Sequence, residues 1–248
     1  MSVEGKTVVV TGGSRGLGLG VVEALVDRGA KVTVVARGRE ALDVVVDRLG
    51  VATIAADITD QIAAHRIGGD VQPDVLVLNA GTPPHMGRLD QLSWEDFSVA
   101  WETDVKAGLF WMQAAIKTPL KPGSRVLVGS SGAAVTGSQM SGGYGGAKRM
   151  LWFMAKYANG VSQEENLGIR FQAILPRMMI LGTGTGDAAA GAYAAAMGIT
   201  PEQFVSRFGS PMPPRFFGDR VVSVLEDPAL ADGVVFGLNG DDGITVME

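Results

Sequence analysis

The sequence predicts one α/β domain, a doubly wound parallel sheet of about seven strands with helices on both faces. Three observations lead to this fold class. Short β-branched runs alternate with longer segments of helical periodicity. The runs are apolar throughout, which is typical of parallel strands buried on both faces. Small or polar residues follow them, at the edge where such sheets bind ligands. Since no Pro/Ser-rich linker or internal repeat interrupts the pattern, residues 1–248 are predicted to form a single domain.

The predicted elements follow one another in βα order. The first helix places Leu17, Val21 and Leu25 on one apolar face. Right-handed crossovers between the strands then give a Rossmann-type arrangement. Strands are predicted at residues 6–12, 30–36, 51–57, 73–81, 124–131, 169–176 and 233–240. Helices are predicted at residues 16–28, 40–49 and 144–165, and a helical pattern near 93–119 is expected to break around 98–105.

Composition excludes several classes of function. The net charge is −5 and no Lys/Arg block occurs, so no nucleic-acid partner is expected. The absence of cysteine excludes disulfides and thiolate metal sites, and with only two histidines we expect no metal. The N-terminus shows no secretory signal, and no apolar run approaches the roughly 20 residues that span a bilayer. We therefore expect a cytoplasmic protein without a membrane partner.

The loop TGGSRGLG follows the first predicted strand and precedes an amphipathic helix. Gly12 allows a tight turn, Gly16 allows a pyrophosphate to approach the backbone, and Gly18 allows the helix to pack on the sheet. The helix N-terminus supplies unpaired N–H groups and a positive dipole end. A dinucleotide is the predicted ligand; the alternative is a glycine-rich turn without a ligand.

Two arginines indicate which dinucleotide is preferred. An NAD site usually has an acidic residue after the second strand, but here the sequence reads VVARGRE. Arg15 and Arg37 could clamp a 2′-phosphate from two sides. We therefore predict NADP(H) as the preferred cofactor, with NAD(H) possible. The alternative is that both arginines are solvated surface residues.

Three further residues have the chemistry of proton transfer to a carbonyl oxygen. Tyr144 and Lys148 lie four residues apart at a helix start, hence on one face. An ammonium beside the phenol favours the phenolate, so that Tyr144 can donate or accept a proton. Ser131 ends the fifth predicted strand and could hydrogen-bond the substrate oxygen.

These motifs together resemble the short-chain dehydrogenase/reductase family, in its compact subtype of about 250 residues. The resemblance rests on Thr11-Gly12…Gly16…Gly18, Asp57, Asn79-Ala80-Gly81, Ser131, Tyr144 and Lys148. It implies a carbonyl reductase, or a dehydrogenase of the corresponding secondary alcohol, in which Lys148 also bonds the nicotinamide ribose and Asp57 holds the adenine. The residues predicted to bind the cofactor are Thr11, Gly12, Ser14, Arg15, Gly16, Leu17, Gly18, Arg37, Asp57, Ile58, Asn79, Ala80, Gly81, Tyr144, Lys148 and Pro176. The resemblance further implies a homodimer or homotetramer, formed through the two long helices.

The sequence departs from the family at two positions. Asp104 stands where the family has an asparagine that helps to hold a proton-relaying water. We count Asp104 among the predicted catalytic residues; its charge near Lys148 either slows turnover and shifts the pH optimum or is simply tolerated. Arg177 replaces the glycine of the family's Pro-Gly pair after the sixth strand, and it either pairs with an anionic group or points to solvent.

Residues 178–215 are expected to form a flexible segment that covers the substrate. The segment is rich in methionine and aromatic residues, and Gly182, Gly184, Gly186 and Gly191 would let it open and close. An apolar carbonyl compound of small to medium size would suit such a lining. Alternatively, these apolar residues form core or subunit contacts. A different class of function, a dinucleotide-binding regulator with little turnover, is motivated by Asp104 and Arg177.

Overall fold

The fold is a parallel sheet with helices on both faces, as predicted. The computed structural model describes residues 1–208, 212–240 and 243–248. The strands are β1 Thr7–Thr11, β2 Lys31–Ala36, β3 Ala52–Ala55, β4 Val75–Leu78, β5 Arg125–Gly129, β6 Arg170–Pro176, β7 Val235–Leu238 and β8 Ile244–Val246. Their order in the sheet is β3-β2-β1-β4-β5-β6-β7-β8. Each neighbouring pair from β3 to β7 is parallel.

The described strands number eight rather than about seven. The additional strand, β8, runs antiparallel to β7 and pairs Ile244 with Leu238 and Val246 with Phe236. It has only three residues and is largely exposed. A run of three residues is shorter than the roughly four to eight that the strand pattern requires.

Ten α-helices accompany the described strands. They are α1 Gly16–Asp27, α2 Arg39–Leu49, α3 Gln61–Val71, α4 Trp94–Ala100, α5 Lys106–Lys117, α6 Ala133–Thr136, α7 Gly142–Glu164, α8 Gly184–Met197, α9 Pro201–Val205 and α10 Pro214–Glu226. Short 3₁₀ turns occupy Ser206–Phe208 and Pro228–Leu230. No helix in the described ranges is both long enough and apolar enough to cross a bilayer.

The break expected around residues 98–105 is a change of helical winding. A π-helical turn, Trp101–Val105, joins α4 to α5, so the chain stays helical throughout. A π-turn shifts the side chains that follow it around the helix and often marks a functional site. Here it contains Asp104, which is buried.

The core fills both faces of the sheet. On one face Val9, Leu76 and Val126 pack with α3, α5 and α7. On the other face Val8, Val10 and Val75 pack with α1 and α10. This two-sided burial explains why the strand sequences are apolar at every position instead of alternating.

The strand order reverses between β1 and β4, which places a crevice at their carboxyl ends. β1 lies between β2 and β4, and Thr11 is level with Val35 on one side and Leu78 on the other. From this point the chain extends outward in both directions, first through β2 and β3 and then through β4 to β8. Such a reversal is the usual ligand position in open parallel sheets.

Candidate active site

The glycine loop connects β1 to α1 in a conformation that requires glycine. Gly12 has φ 68° and Gly16 has φ 55°, in the left-handed region that side chains disfavour. Arg15 precedes α1 without a side-chain cap, and the backbone N–H groups of Gly16 and Leu17 have no acceptor among the described residues. Together with the helix dipole, these unpaired donors form an anion-binding helix terminus.

Thr11 and Gly18 support this loop from behind rather than lining the cavity. The Thr11 hydroxyl accepts hydrogen bonds from the amides of Asn79 (3.1 Å) and Ala80 (3.2 Å). A Cβ on Gly18 would lie 2.6 Å from Nδ2 of Asn79 and would also meet the Gly12 backbone. Both residues therefore position the loop against the end of β4, although we predicted them as cofactor-binding residues.

Charged side chains line the cavity beyond the glycine loop. Arg15 and Arg37 are exposed, and neither forms an ion pair within the described part of the chain. Asp57 accepts hydrogen bonds from the amide and the hydroxyl of Thr59, both at 2.8 Å. These bonds, with a smaller contribution from Arg37, lower the pKa of Asp57. The carboxylate is thus held ionised and oriented at the end of β3.

The three residues predicted for proton transfer line this same cavity. Tyr144 and Lys148 lie in the first two turns of α7, and Lys148 Nζ is 5.7 Å from the centre of the Tyr144 ring. Ser131 follows β5, and its hydroxyl oxygen accepts a bond from the amide of Ala133 (3.2 Å). Neither the Ser131 nor the Tyr144 hydroxyl donates a hydrogen bond to a described residue, so both protons are available to a ligand.

Asp104 forms a buried ion pair with Lys148. The distance from Lys148 Nζ to Asp104 Oδ2 is 2.9 Å, and the carboxylate side chain is 1% exposed. Asp104 Oδ1 accepts from the amide of Thr82 (2.9 Å) and from the Thr103 hydroxyl (2.9 Å). The π-turn thus presents a fixed negative charge to the lysine.

This ion pair decides the protonation of Lys148. Burial alone would lower the pKa of the lysine, because an ammonium is poorly solvated in the protein interior. The carboxylate of Asp104, with a smaller contribution from Tyr144, outweighs burial, and the pKa of Lys148 is raised. The lysine is therefore an ammonium at neutral pH. Its Nζ also donates to the Gly129 carbonyl at 3.5 Å, which ties α7 to the end of β5.

One cavity of about 960 Å³ brings the predicted site together. Of the predicted residues, Thr11 and Gly18 lie behind it. Those that line it are Gly12, Ser14, Arg15, Gly16, Leu17, Arg37, Asp57, Ile58, Asn79, Ala80, Gly81, Asp104, Ser131, Tyr144, Lys148 and Pro176. Arg177 also lines it, and its side chain passes over Gly237 of β7.

The segment 178–215 contributes a second group of lining residues. Within this segment, the residues rich in glycine and alanine form the regular helix α8. It is capped by Thr183, whose hydroxyl accepts a hydrogen bond from the amide of Gly186 (3.1 Å). Thr183 packs near Gly16 of the glycine loop. Residues 209–211 of this predicted segment lie outside the described residues. The apolar and aromatic members that line the cavity are Met178, Met179, Ile180, Tyr193, Met197, Phe204 and Phe208.

Several residues that organise the site were not predicted from the sequence. Thr59 orients Asp57, Thr82 and Thr103 hold Asp104, and the Ser130 hydroxyl donates to the Lys148 carbonyl at 2.8 Å. Each is a small polar residue close in sequence to one end of a contact. Only Ser130 had a signal, as the neighbour of Ser131 at a strand end.

The donor set fits a nicotinamide dinucleotide. Unpaired N–H groups begin α1, a hydrogen-bonded carboxylate follows β3, and an ammonium lies beside Tyr144. Phosphate, ribose and adenine groups are recognised by this kind of set in doubly wound sheets. Among the described residues, no group of three or more acidic or histidine side chains could hold a metal ion.

Fold and site define an α/β oxidoreductase of the dinucleotide-binding class. A model of the family described as short chain dehydrogenase matches residues 6–187, well over half of the sequence. The chain belongs to this family. The recognition made from the motifs is therefore confirmed, as is the prediction of an enzyme that acts on CH–OH or carbonyl groups.

Curated relatives are similar over most of the chain. The 2,5-dichloro-2,5-cyclohexadiene-1,4-diol dehydrogenase of Sphingobium indicum is 30% identical over 183 residues, covering 70% of this chain and 72% of that protein. The NADPH-dependent pterin aldehyde reductase of Arabidopsis thaliana is 28% identical over 185 residues, covering 70% and 75%. Alignments with three other relatives span 54 to 60% of their lengths.

A solved structure matches nearly the entire chain. The short chain dehydrogenase from Burkholderia cenocepacia J2315 in complex with NADP has a TM-score of 0.77 and 26% identity. The match covers 98% of this chain and 99% of that one. The structural similarity therefore extends beyond residue 187, where the family match ends.

Proposed function

We propose that the protein is an NADP(H)-dependent oxidoreductase that reduces an apolar ketone or aldehyde, or oxidises the corresponding secondary alcohol. The observation that carries the proposal is the single cavity in which the glycine loop and the pair Tyr144–Lys148 lie with Ser131. A cavity holding both a phosphate-binding helix terminus and a proton donor beside an ammonium suits carbonyl reduction.

The proposed roles follow from the contacts of each side chain. A bound nicotinamide dinucleotide would supply or accept the hydride. Ser131 donates its available proton in a hydrogen bond to the substrate oxygen, which orients the carbonyl. Tyr144 transfers its phenolic proton to that oxygen as negative charge develops, and Lys148 stabilises the phenolate left behind. Asp104 keeps Lys148 charged and in place.

Preference for the phosphorylated dinucleotide rests on Arg15 and Arg37. Both guanidinium groups line the cavity, are exposed, and have no acidic partner in the described structure. A 2′-phosphate would provide the missing anion, and bidentate arginine–phosphate contacts are strong. The Burkholderia structure contains NADP, and the Arabidopsis relative is named for NADPH, which supports the same choice.

The test is an absorbance assay at 340 nm with NADPH and a panel of ketones and aldehydes. We expect turnover on at least one apolar carbonyl compound, and a loss of about a hundredfold or more in kcat for Tyr144→Phe. The matched control is Tyr157→Phe, because Tyr157 lies on the outer face of α7. Equal rates for the wild type and Tyr144→Phe would contradict the proposed proton donor.

We also propose that the protein forms a homodimer through α4, α5 and α7. Trp94 of α4 is 72% exposed, and Leu109 of α5 and Val161 of α7 add exposed apolar surface. Aromatic residues of this size are enriched where subunits meet. Multi-angle light scattering should give twice or four times the chain mass of 25.8 kDa at micromolar concentration. A measured molar mass equal to that of a single chain would contradict the proposal.

A further inference from the structure

A hydrogen bond between two side chains of the cavity joins two segments that are far apart in sequence. The Tyr193 hydroxyl, on α8, donates to the Ser138 hydroxyl, in the loop between α6 and α7. Both residues line the cavity. The bond connects the segment that covers the substrate to the loop that leads into the helix of Tyr144.

Ser138 belongs to a turn that positions the start of α7. The Ser141 hydroxyl donates to the Ser138 carbonyl (3.0 Å), and it accepts from the Ser138 amide (3.2 Å). The Ser141 carbonyl in turn accepts from the amide of Tyr144 (2.9 Å). The bond from Tyr193 therefore anchors α8 to the turn that precedes Tyr144.

The Tyr193 ring belongs to an aromatic cluster with Phe204 and Phe208. It stacks on Phe204 with 5.0 Å between ring centres and 3° between ring planes. Phe208 approaches Phe204 edge-on at 5.2 Å. The lining residues from α8 to the 3₁₀ turn at 206–208 carry no charge, although Asp187, Glu202 and Arg207 lie in the same elements. This wall of the cavity is therefore uncharged and mostly apolar, with hydroxyl groups at Thr185 and Tyr193.

We propose that Tyr193 is a specificity-determining residue that selects flat aromatic substrates. Its ring provides a planar surface for an aryl group, and its bond to Ser138 holds α8 closed over the substrate. The proposal rests on the proposed function, since it names the substrate class for that site. Stacked or edge-to-face aromatic pairs gain about 0.5–1.5 kcal/mol beyond their buried area, which a puckered ring of equal carbon number does not gain.

The experiment compares phenyl methyl ketone with cyclohexyl methyl ketone, which have the same carbon skeleton but differ in planarity. With NADPH, the wild type should favour the phenyl compound in kcat/KM by about fivefold. Tyr193→Leu keeps apolar bulk but removes the planar ring, and should bring the two values within a factor of about two. A Tyr193→Leu variant that retains the full preference would overturn the role of the ring.

The hydrogen bond is tested separately from the ring. Tyr193→Phe and Ser138→Ala each remove one partner of the bond and should raise KM for both ketones about fivefold, with kcat changed less than twofold. The double variant should show no further increase, because the two changes remove the same interaction. Additive increases in KM would overturn the bond between α8 and the loop. Tyr157→Phe is again the matched control and should change neither ketone.

Failure of this inference is distinguishable from failure of the proposed function. Turnover of other carbonyl compounds but of neither methyl ketone would overturn the aromatic class alone. Absence of NADPH binding by calorimetry would overturn the proposed function itself. The affinity for NADPH should be unchanged in Tyr193→Leu, because the proposed phosphate ligands Arg15 and Arg37 lie before α1 and after β2, whereas Tyr193 lies on α8. A large change would mean that Tyr193 acts through the cofactor.

Discussion

Two buried cations lie at opposite ends of β5 and are stabilised in different ways. Arg125 begins the strand, and Lys148 contacts the carbonyl of Gly129, which ends it. Five residues of strand separate the two positions by about 13 Å. Lys148 has a carboxylate partner, Asp104. The acceptors of Arg125 among the described residues are neutral: the Gln172 side chain and the carbonyls of Val224 and Leu225 at the end of α10.

The different partners change the two pKa values in opposite directions. Burial, with a smaller contribution from the positive charge of Arg170, lowers the pKa of Arg125 to about 10. For Lys148, Asp104 and Tyr144 outweigh burial and the pKa is raised. A guanidinium that only caps a helix C-terminus needs no counter-charge, because the helix dipole and carbonyls suffice. Lys148, which faces the cavity, has Asp104 as its counter-charge, and this partner keeps the lysine charged while a ligand binds and leaves.

The largest effect should come from Lys148→Met. Removal of the ammonium leaves Asp104 buried without its partner and the phenolate of Tyr144 without a cation. We expect kcat/KM to fall about a hundredfold or more in the carbonyl assay. Circular dichroism should still show the folded sheet, so that the loss is assigned to chemistry. If Lys148→Met kept its activity, Lys148 would have no role in the reaction and would not differ from Arg125 in that respect.

Arg125→Met should have the reverse profile. It leaves buried acceptors on Gln172 and on α10 unpaired, and the free energy of unfolding should fall by about 3 kcal/mol in a urea titration. Because Arg125 lies at the sheet edge opposite the cavity, kcat/KM at 25 °C should stay within twofold of the wild type. A loss of activity larger than the loss of folded protein would show that the far edge of the sheet contributes to the site.

Asp104→Asn removes the counter-charge and keeps the shape. The folded pKa of Lys148 lies above its ordinary value of 10.5, so the stabilisation from the pair is complete at neutral pH and is lost as the pH rises through the raised pKa. Without the carboxylate, burial lowers the pKa of Lys148 with only Tyr144 opposing it. The alkaline limb of the kcat/KM profile should therefore move to lower pH. An unchanged rate and pH profile would mean that Asp104 is simply a tolerated replacement.

Ser130→Ala should have the smallest effect. The Ser130 hydroxyl donates to the Lys148 carbonyl at 2.8 Å, and it supports α7 without touching the ammonium. We expect the free energy of unfolding to fall by about 1 kcal/mol and kcat/KM to change less than twofold. Thermal denaturation and the carbonyl assay measure the two quantities. A change in activity of tenfold or more would place Ser130 in direct control of the lysine.

The glycine loop and the strand-end residues could be predicted because backbone geometry requires particular residues there. Gly12 and Gly16 have positive φ, and Tyr144 and Lys148 have a helical spacing that brings them to one face. The strands were recognisable because burial on both faces makes them apolar throughout. Gly18 was correctly interpreted as a packing glycine, but its packing places it behind the cavity rather than against a ligand.

The remaining features depend on contacts between distant residues. The Tyr193–Ser138 bond spans 55 positions and leaves no periodic pattern in the sequence. The helix α8 is built almost entirely from glycine and alanine, so its buried and exposed faces have nearly the same hydrophobicity. The π-turn at Trp101–Val105 interrupts the helical pattern in the sequence, since its residues deviate from the 3.6-residue period. Three-residue β8 is defined by its pairing with β7 alone.

The most direct test of the proposed NADP(H) preference is a calorimetric titration of NADPH and NADH into the wild type and into the double variant Arg15→Ala/Arg37→Ala. We expect the wild type to bind NADPH at least tenfold more tightly than NADH, because two guanidinium groups gain a phosphate partner. In the double variant the two affinities should become nearly equal, chiefly through weaker NADPH binding. Equal or tighter binding of NADH by the wild type would contradict the proposed recognition of the 2′-phosphate by Arg15 and Arg37.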